Sequence, residues 1–233
     1  MTASKIVAAA ASGVGGAGED VDNLMNSFIY EGNGGSATIT TDLDYSDKGG
    51  MVFFKRLDNT QVPAIFDTVR GAGKWIRSNS SSAEATDNAS LTAFGSSGFT
   101  LAADGNVGSV NTNNGKYKVW SFLQQRKFFD IVTYTGDGTT FRDIAHNLGS
   151  VPGHIMVKKR SGGSNTGWVN WHRTFSDYDN VFLSGSSAKY NDGSNNSLFG
   201  QASNMTSTHF ELGGNGNISY INENGSTYVA YLF

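Results

Sequence analysis

The chain has 233 residues, with 17 Lys and Arg against 20 Asp and Glu for a net charge of −3, together with 30 Gly, 2 Pro and no Cys. That length fits one large domain or two of about 100 residues each, and the charge argues against a footprint for duplex nucleic acid or a basic membrane-binding patch. Without Cys there are no disulfides, no thiolate catalysis and no thiolate metal site, and no stretch approaches the roughly 20 apolar residues that span a bilayer.

The N-terminal run MTASKIVAAAASGVGGAGED places Lys5 before a short apolar stretch, mostly Ala, that dissolves into Gly. Such a stretch is a poor core for a secretory signal. Residues 1–25 read as an Ala/Gly-rich attachment arm, with a plain terminal tail as the alternative. Its side chains offer too little volume to build a core, but Ile6, Val7, Val14 and Val21 prefer a dry partner surface. From Asp20 to Phe28, the residues Val21, Leu24, Met25 and Phe28 fall at i, i+3, i+4 and i+7, which predicts a short helix; a second is predicted at Gln124 to Phe129. Elsewhere the pattern is that of strands. MVFF from Met51, HIMV from His154, VFL from Val181 and YVAYLF from Tyr228 are apolar, β-branched or aromatic runs between clusters of Gly, Asn, Asp and Ser. Gly32-Asn33-Gly34 and Gly136-Asp137-Gly138 are turn tripeptides that supply positive φ.

The chain also repeats itself. Phe28 to Arg56 lies over Val132 to Arg160 without a gap: Tyr30 meets Tyr134, Gly32 meets Gly136, Gly34 meets Gly138, Gly49 meets Gly153, and Lys55-Arg56 meet Lys159-Arg160. Further on, NTNNGKYKVWSF from Asn111 lies over NENGSTYVAYLF from Asn222, and SSGFTL from Ser96 over STHFEL from Ser207, given a short insertion between Arg160 and Ser207. Repetition with this spacing of strands predicts an all-β fold of two tandem homologous β-sandwich, jelly-roll-like modules, residues 26–127 and 128–233, after the arm.

Chemistry is sparse. His146, His154, His172 and His209 face Asp42, Gly50, Asp67 and Gly98 in the repeat, so no His is common to both modules, and His146 in AHNLG reads as a turn residue. There is no HExxH and no glycine-rich loop ending in Gly-Lys-Ser or Gly-Lys-Thr; Gly105 to Gly108 and Gly213 to Gly216 read as hairpin turns. Asp42 and Asp44, at a spacing of two, would share a strand face, and Asp177, Asp179 and Asp192 are oxygen ligands for calcium on paper, but all sit in polar turn settings. No catalytic residue, metal site or cofactor is therefore assigned, and the chain is read as a non-enzyme. The ligand-binding candidates are Trp168, Trp171, Arg173 and Tyr178 in GWVNWHRTFSDYDN, because a sugar stacks its ring face on an aromatic while polar side chains take its hydroxyls. The competing reading is that strand alternation buries one Trp with Phe175 and leaves the other at an edge.

The run IAHNLGSVPGHIMVKKR, the Trp-rich WVNWHRTF, then HFELG and NGSTYVAYLF resemble repeat modules in virion proteins of marine tailed bacteriophages, cyanophages among them; FDTVRGAGKWIRSNSSSAEA followed by GFTL resembles the companion module. The first module departs from that pattern in having DLDYSDKGG where AHNLGSVPG stands. The resemblance implies a structural part of the virion, a tail fibre or related surface appendage, assembled in the host cytoplasm. Its implied partners are other virion proteins through the arm, sister copies in a homo-oligomer (a trimer by analogy) and a host surface glycan, with no nucleic acid and no membrane insertion. The alternatives are a capsid decoration or neck fibre, a carbohydrate-binding module and, last, a polysaccharide-degrading enzyme.

Overall fold

In the computed structural model, which describes residues 20–103, 110–163, 166–183, 197–214 and 218–233, the fold is all-β and built from several antiparallel sheets. The first 19 residues of the expected arm, the turn from Gly105 to Gly108, Asp192, and Asn215 and Gly216 of the second glycine turn lie outside the described residues. No helix among the described residues is long and apolar enough to cross a membrane.

In chain order the strands are β1 (Met25–Glu31), β2 (Ala37–Thr40), β3 (Gly50–Arg56), β4 (Ala64–Asp67), β5 (Lys74–Arg77), β6 (Ala85–Thr86), β7 (Leu91–Gly95), β8 (Gly98–Leu101) and β9 (Lys116–Leu123). They continue with β10 (Asp130–Thr135), β11 (Asp143–Ala145), β12 (His154–Ser161), β13 (Val169–His172), β14 (Val181–Phe182), β15 (His209–Glu211) and β16 (Thr227–Leu232). Two one-turn helices, α1 (Tyr45–Lys48) and α2 (Ile218–Ile221), interrupt them. The chain divides into two compact units, one running up to Trp75 with Ala85–Gln124, the other Ile76–Glu84 with Gln125–Phe233.

Both predicted helices are corrected. Asp20 caps a single 3-10 turn, Val21–Asn23, and the chain then enters β1. The helical spacing of Val21, Leu24, Met25 and Phe28 loses to pairing with β9: Phe28 and Tyr30 are buried, Ile29 and Glu31 are exposed, and Phe28 lies opposite Val119. That is period 2, the signature of a strand with one wet face. Gln125 to Phe129 is a tight turn closed by N–H groups of Phe128 and Phe129, both donating to the Gln125 carbonyl at 3.0 Å, with Lys127 at φ +63°.

The sheets of the two units follow one order. The larger sheets run β1-β9-β3-β4-β5-β6 and β10-β16-β12-β13-β14; the smaller ones are β2-β8-β7 and β11-β15. The register matches too: Tyr30 pairs with Tyr117 as Tyr134 pairs with Tyr228, and the rings stack at 5.2 and 5.0 Å between centroids. The Tyr30 hydroxyl donates to the Val110 carbonyl, and that of Tyr134 to the Ile221 carbonyl. The Tyr117 hydroxyl accepts from the Thr112 N–H at 3.1 Å, and that of Tyr228 from the Glu223 N–H at 2.9 Å. At the adjoining corner Asn111 and Asn222 use both ends of their amides on the facing turn: Asn33 N–H and Asp137 N–H donate to them, and they donate back to Asn33 Oδ1 and Asp137 Oδ1. Gly32 and Gly136 are required there. A Cβ would stand 2.3 Å from the Thr112 carbonyl oxygen in one unit and 2.2 Å from that of Glu223 in the other.

The gapless alignment slips by one residue along β12. In β3 the residue opposite Tyr117 is Arg56, whereas in β12 the residue opposite Tyr228 is Lys159, and Ser161 rejoins the register opposite Thr227. Lys158-Lys159, not Lys159-Arg160, therefore stand where Lys55-Arg56 stand; the one-residue slip already holds at Ile155, opposite Leu232, and Arg160, the extra residue of a bulge, ends it.

In the second unit Ile76–Glu84 forms a strap. The Trp168 indole N–H donates to the Arg77 carbonyl at 2.8 Å, Lys158 Nζ donates to the Ser81 carbonyl at 2.8 Å and to that of Thr166, and Arg160 pairs with Glu84. Its core gathers Trp171, Phe199, Phe210, Tyr228 and Leu232 with aliphatic neighbours, and Phe175 packs against it.

Candidate functional site

The residues singled out as sugar-stacking candidates lie on β13 and its flanks. Trp171 faces Ile155 across β12 and belongs to the core, and Trp168 stacks on Tyr231 at 5.9 Å; they are 1% and 0% exposed. The expectation that one Trp stays at an edge is therefore corrected, because strand alternation sends Trp171 to one face and the strap covers Trp168 on the other. Neither indole offers an open ring face in this structure. Arg173 is exposed, its backbone N–H donating to the Gly153 carbonyl at 3.0 Å. Tyr178 sits in a turn at φ +67° with its hydroxyl accepting from Gln201 Nε2 at 2.9 Å. The four do not converge on a solvent-facing platform.

The acids cap turns. Asp42 is at φ +60°, and Asp44 caps α1 by accepting from the N–H groups of Ser46 and Asp47 at 2.9 and 3.0 Å, so the two do not share a strand face. Asp177 accepts from Ala202 N–H and Asp179 from Ser176 N–H, each at 2.8 Å. Asp67 is buried and meets Arg70 at 2.5 Å. No group of three His, Asp or Glu side chains that could hold a metal ion is present among the described residues. His146 sits in a turn, its Nδ1 accepting from the Leu148 N–H at 3.2 Å; burial lowers its pKa, opposed by the nearby Asp130 carboxylate. Lys158 is the one buried cation with a markedly moved pKa among the described residues, brought down to about 8 by burial and by the adjacent Lys159.

One open feature lies in the first unit, a cleft of about 320 Å³ lined by Phe28–Glu31 of β1, Ala37–Thr40 of β2, Asn33 and Asn111. That volume is at the lower end for a ligand site. β1 and β2 are each the terminal strand of their sheet, so the cleft lies between two strand edges. Its walls are apolar at Phe28, Ile29, Ile39 and Ala37, polar at Thr38, Thr40 and the two Asn, with Glu31 as the charged member. Sequence reasoning missed it. No strand is predicted at FIYEGN, where the pattern up to Phe28 predicts a helix, and whether a strand ends a sheet depends on pairings across the whole unit.

A family defined as a domain of unknown function, DUF7483, matches residues 20–233. No curated protein and no solved structure matches the chain. The matched stretch spans both units and nearly the whole sequence, and the chain belongs to the DUF7483 family.

Proposed function

We propose that this protein is a structural component of a bacteriophage virion, a tail fibre or related surface appendage, made of two tandem homologous β-sandwich modules of jelly-roll type carried on the N-terminal arm. The observation that carries the reading is the repetition itself: strand order, tyrosine pair and asparagine corner recur in both units. Repeating one rigid module is an economical way to build an extended particle part, and the sequence resemblance to phage repeat modules supplies the context. The arm attaches the chain through its residues 1–19, since Asp20 to Met25 belong to the first unit, to neighbouring virion proteins and to sister copies, giving a homo-oligomer whose symmetric packing covers exposed strand edges.

Capsid decoration and neck fibre are the alternatives of the same kind. A glycan-binding role for the Trp168–Tyr178 segment is disfavoured by the burial of both indoles. The test is a phage carrying the chain without residues 1–19. Purified particles should then lack the protein while the protein itself stays soluble in the lysate. Normal occupancy of the truncated chain would place attachment on the modules and refute the role given to the arm.

A further inference from the structure

The cleft of the first unit has the geometry of a socket for one more strand. The Leu24 carbonyl accepts from the Leu123 N–H, and the Gly32 N–H donates to the Gly115 carbonyl, at 2.8 Å each. In an antiparallel ladder such pairs alternate, so the even-numbered residues of β1 bond to β9, and the N–H and C=O groups of Ser27, Ile29 and Glu31 face the other way. β1 has no strand on that side among the described residues. Ile29 is 59% exposed, a large apolar side chain on a free edge. Such an edge templates the addition of an extended segment, whose main chain supplies affinity and whose side chains supply register.

We propose that this edge takes residues 5–9 of a second copy of the chain as an added antiparallel strand. The inference rests on the reading above that the arm is ordered by sister copies, and it names the surface. Two features select the occupant. Thr2 to Gly18 contains one charged side chain, Lys5, and otherwise only Ala, Gly, Ser, Thr, Val and Ile, slim enough to enter a narrow seam. The cleft wall carries one charged side chain of opposite sign, Glu31. Setting Lys5 opposite Glu31 in antiparallel register puts Val7 opposite Ile29 and Ala9 opposite Ser27. One charge pair and one apolar pair thus form together on the same face, and Val7 covers the exposed Ile29. The second unit lacks this pattern, since Thr133 and Thr135 stand where Ile29 and Glu31 stand.

The chain has no cysteine, so engineered thiols report without background. Full-length chains carrying Ser27→Cys are mixed with full-length chains carrying Ala9→Cys, and disulfides are read on a non-reducing gel. Opposed residues of an antiparallel pair stand about 5.5 Å apart between Cα atoms, within disulfide reach. A mixed dimer should form, at several-fold lower yield when Ala10→Cys, facing the opposite side, replaces Ala9→Cys. Glu31→Lys should cut the yield several-fold, and Lys5→Glu in the other chain should restore it. Equal yields from Ala9→Cys and Ala10→Cys, or no rescue by the charge swap, would overturn the proposal. So would a disulfide that forms only when both thiols are on one chain, since the arm would then fill its own edge. If the crosslink fails while particles still require residues 1–19, the arm acts at another surface: the strand-addition proposal falls and the reading of the arm as the attachment element survives.

Discussion

Arg160 holds Glu84 in a two-point grip, Nε to Oε2 at 2.8 Å and Nη2 to Oε1 at 3.1 Å, while the Glu84 backbone N–H donates to the Arg160 carbonyl at 3.0 Å. The side chains are 20% and 11% exposed, sheltered enough for the pair to matter. Arg160 is also the bulged residue of β12, so the irregularity in the ladder coincides with the anchor of the strap. Glu84→Ala should cost about 1 to 2 kcal/mol and raise amide exchange across residues 78–84 more than in the core strands. Unchanged exchange in that segment would show that Lys158 and Trp168 hold the strap without it.

The two tyrosine corners should behave as one. Tyr117→Phe and Tyr228→Phe each remove the acceptor for a backbone N–H, of Thr112 or Glu223, and each should cost about 1 to 3 kcal/mol. Gly32→Ala and Gly136→Ala should cost more, because the new Cβ meets a backbone carbonyl with little room to yield. Chemical denaturation measures all four. A large effect in one unit beside none in the other would separate the two corners and weaken the case for a shared module.

Deleting Tyr228 to Phe233 should abolish folding of the second unit. β16 is the central strand between β10 and β12, and Tyr228 to Leu232 are each at most 1% exposed. Large apolar side chains contribute roughly 1.5 to 3 kcal/mol apiece, and several together exceed a domain stability of about 5 to 15 kcal/mol once both ladders are lost as well. Phe233 extends this strand by backbone alone, its N–H donating to the His154 carbonyl at 2.9 Å, with a half-buried ring against Phe129. A soluble truncated chain with unchanged melting would contradict the assignment.

Stability should fall as the pH drops below about 7. Burial lowers the pKa of both His146 and His154 from 6.5; Asp130 opposes the shift at His146, while at His154 Asn170 opposes it and His172 adds to it. The unfolded chain therefore takes up protons first. The stability contributed by keeping both rings neutral is complete above the unfolded pKa and is lost as the pH falls from there through the folded values. Tm should decline between about pH 7.5 and pH 5.5, and His154→Gln should flatten that decline. Lys158 gives the same sign at the alkaline end, with stability rising between about 8 and 10.5.

Much of the fold was legible from residue pattern. The strand runs at Met51, His154, Val181 and Tyr228 and the pairing of Tyr30 with Tyr134 in the repeat reflect period 2 and turn chemistry, which are local. Most of the misreadings are non-local; the tight turn at Gln125 to Phe129, closed by its own hydrogen bonds, is a local one. Val21 to Phe28 has helical spacing, but β9, some ninety residues on, claims Phe28 and Tyr30 for a strand. Trp168 is covered by Arg77 of the strap, a partner that no spacing within GWVNWHRTF could announce. The one-residue slip along β12, which the bulge at Arg160 ends, is invisible to a gapless alignment because Lys-Arg recurs there at the gapless spacing. The cleft beside Ile29 depends on β1 ending its sheet, a property of the whole unit.

The central claim, that this is a virion appendage component built from two copies of one module, is tested most directly by a cryo-electron-microscopy reconstruction of the intact particle. Both units should lie on the particle surface, each fitting the same density shape with Tyr30 over Tyr134 and Tyr117 over Tyr228, and residues 1–19 should contact a neighbouring chain. Particles that contain no copy of the protein, or two units of different topology in the density, would contradict it.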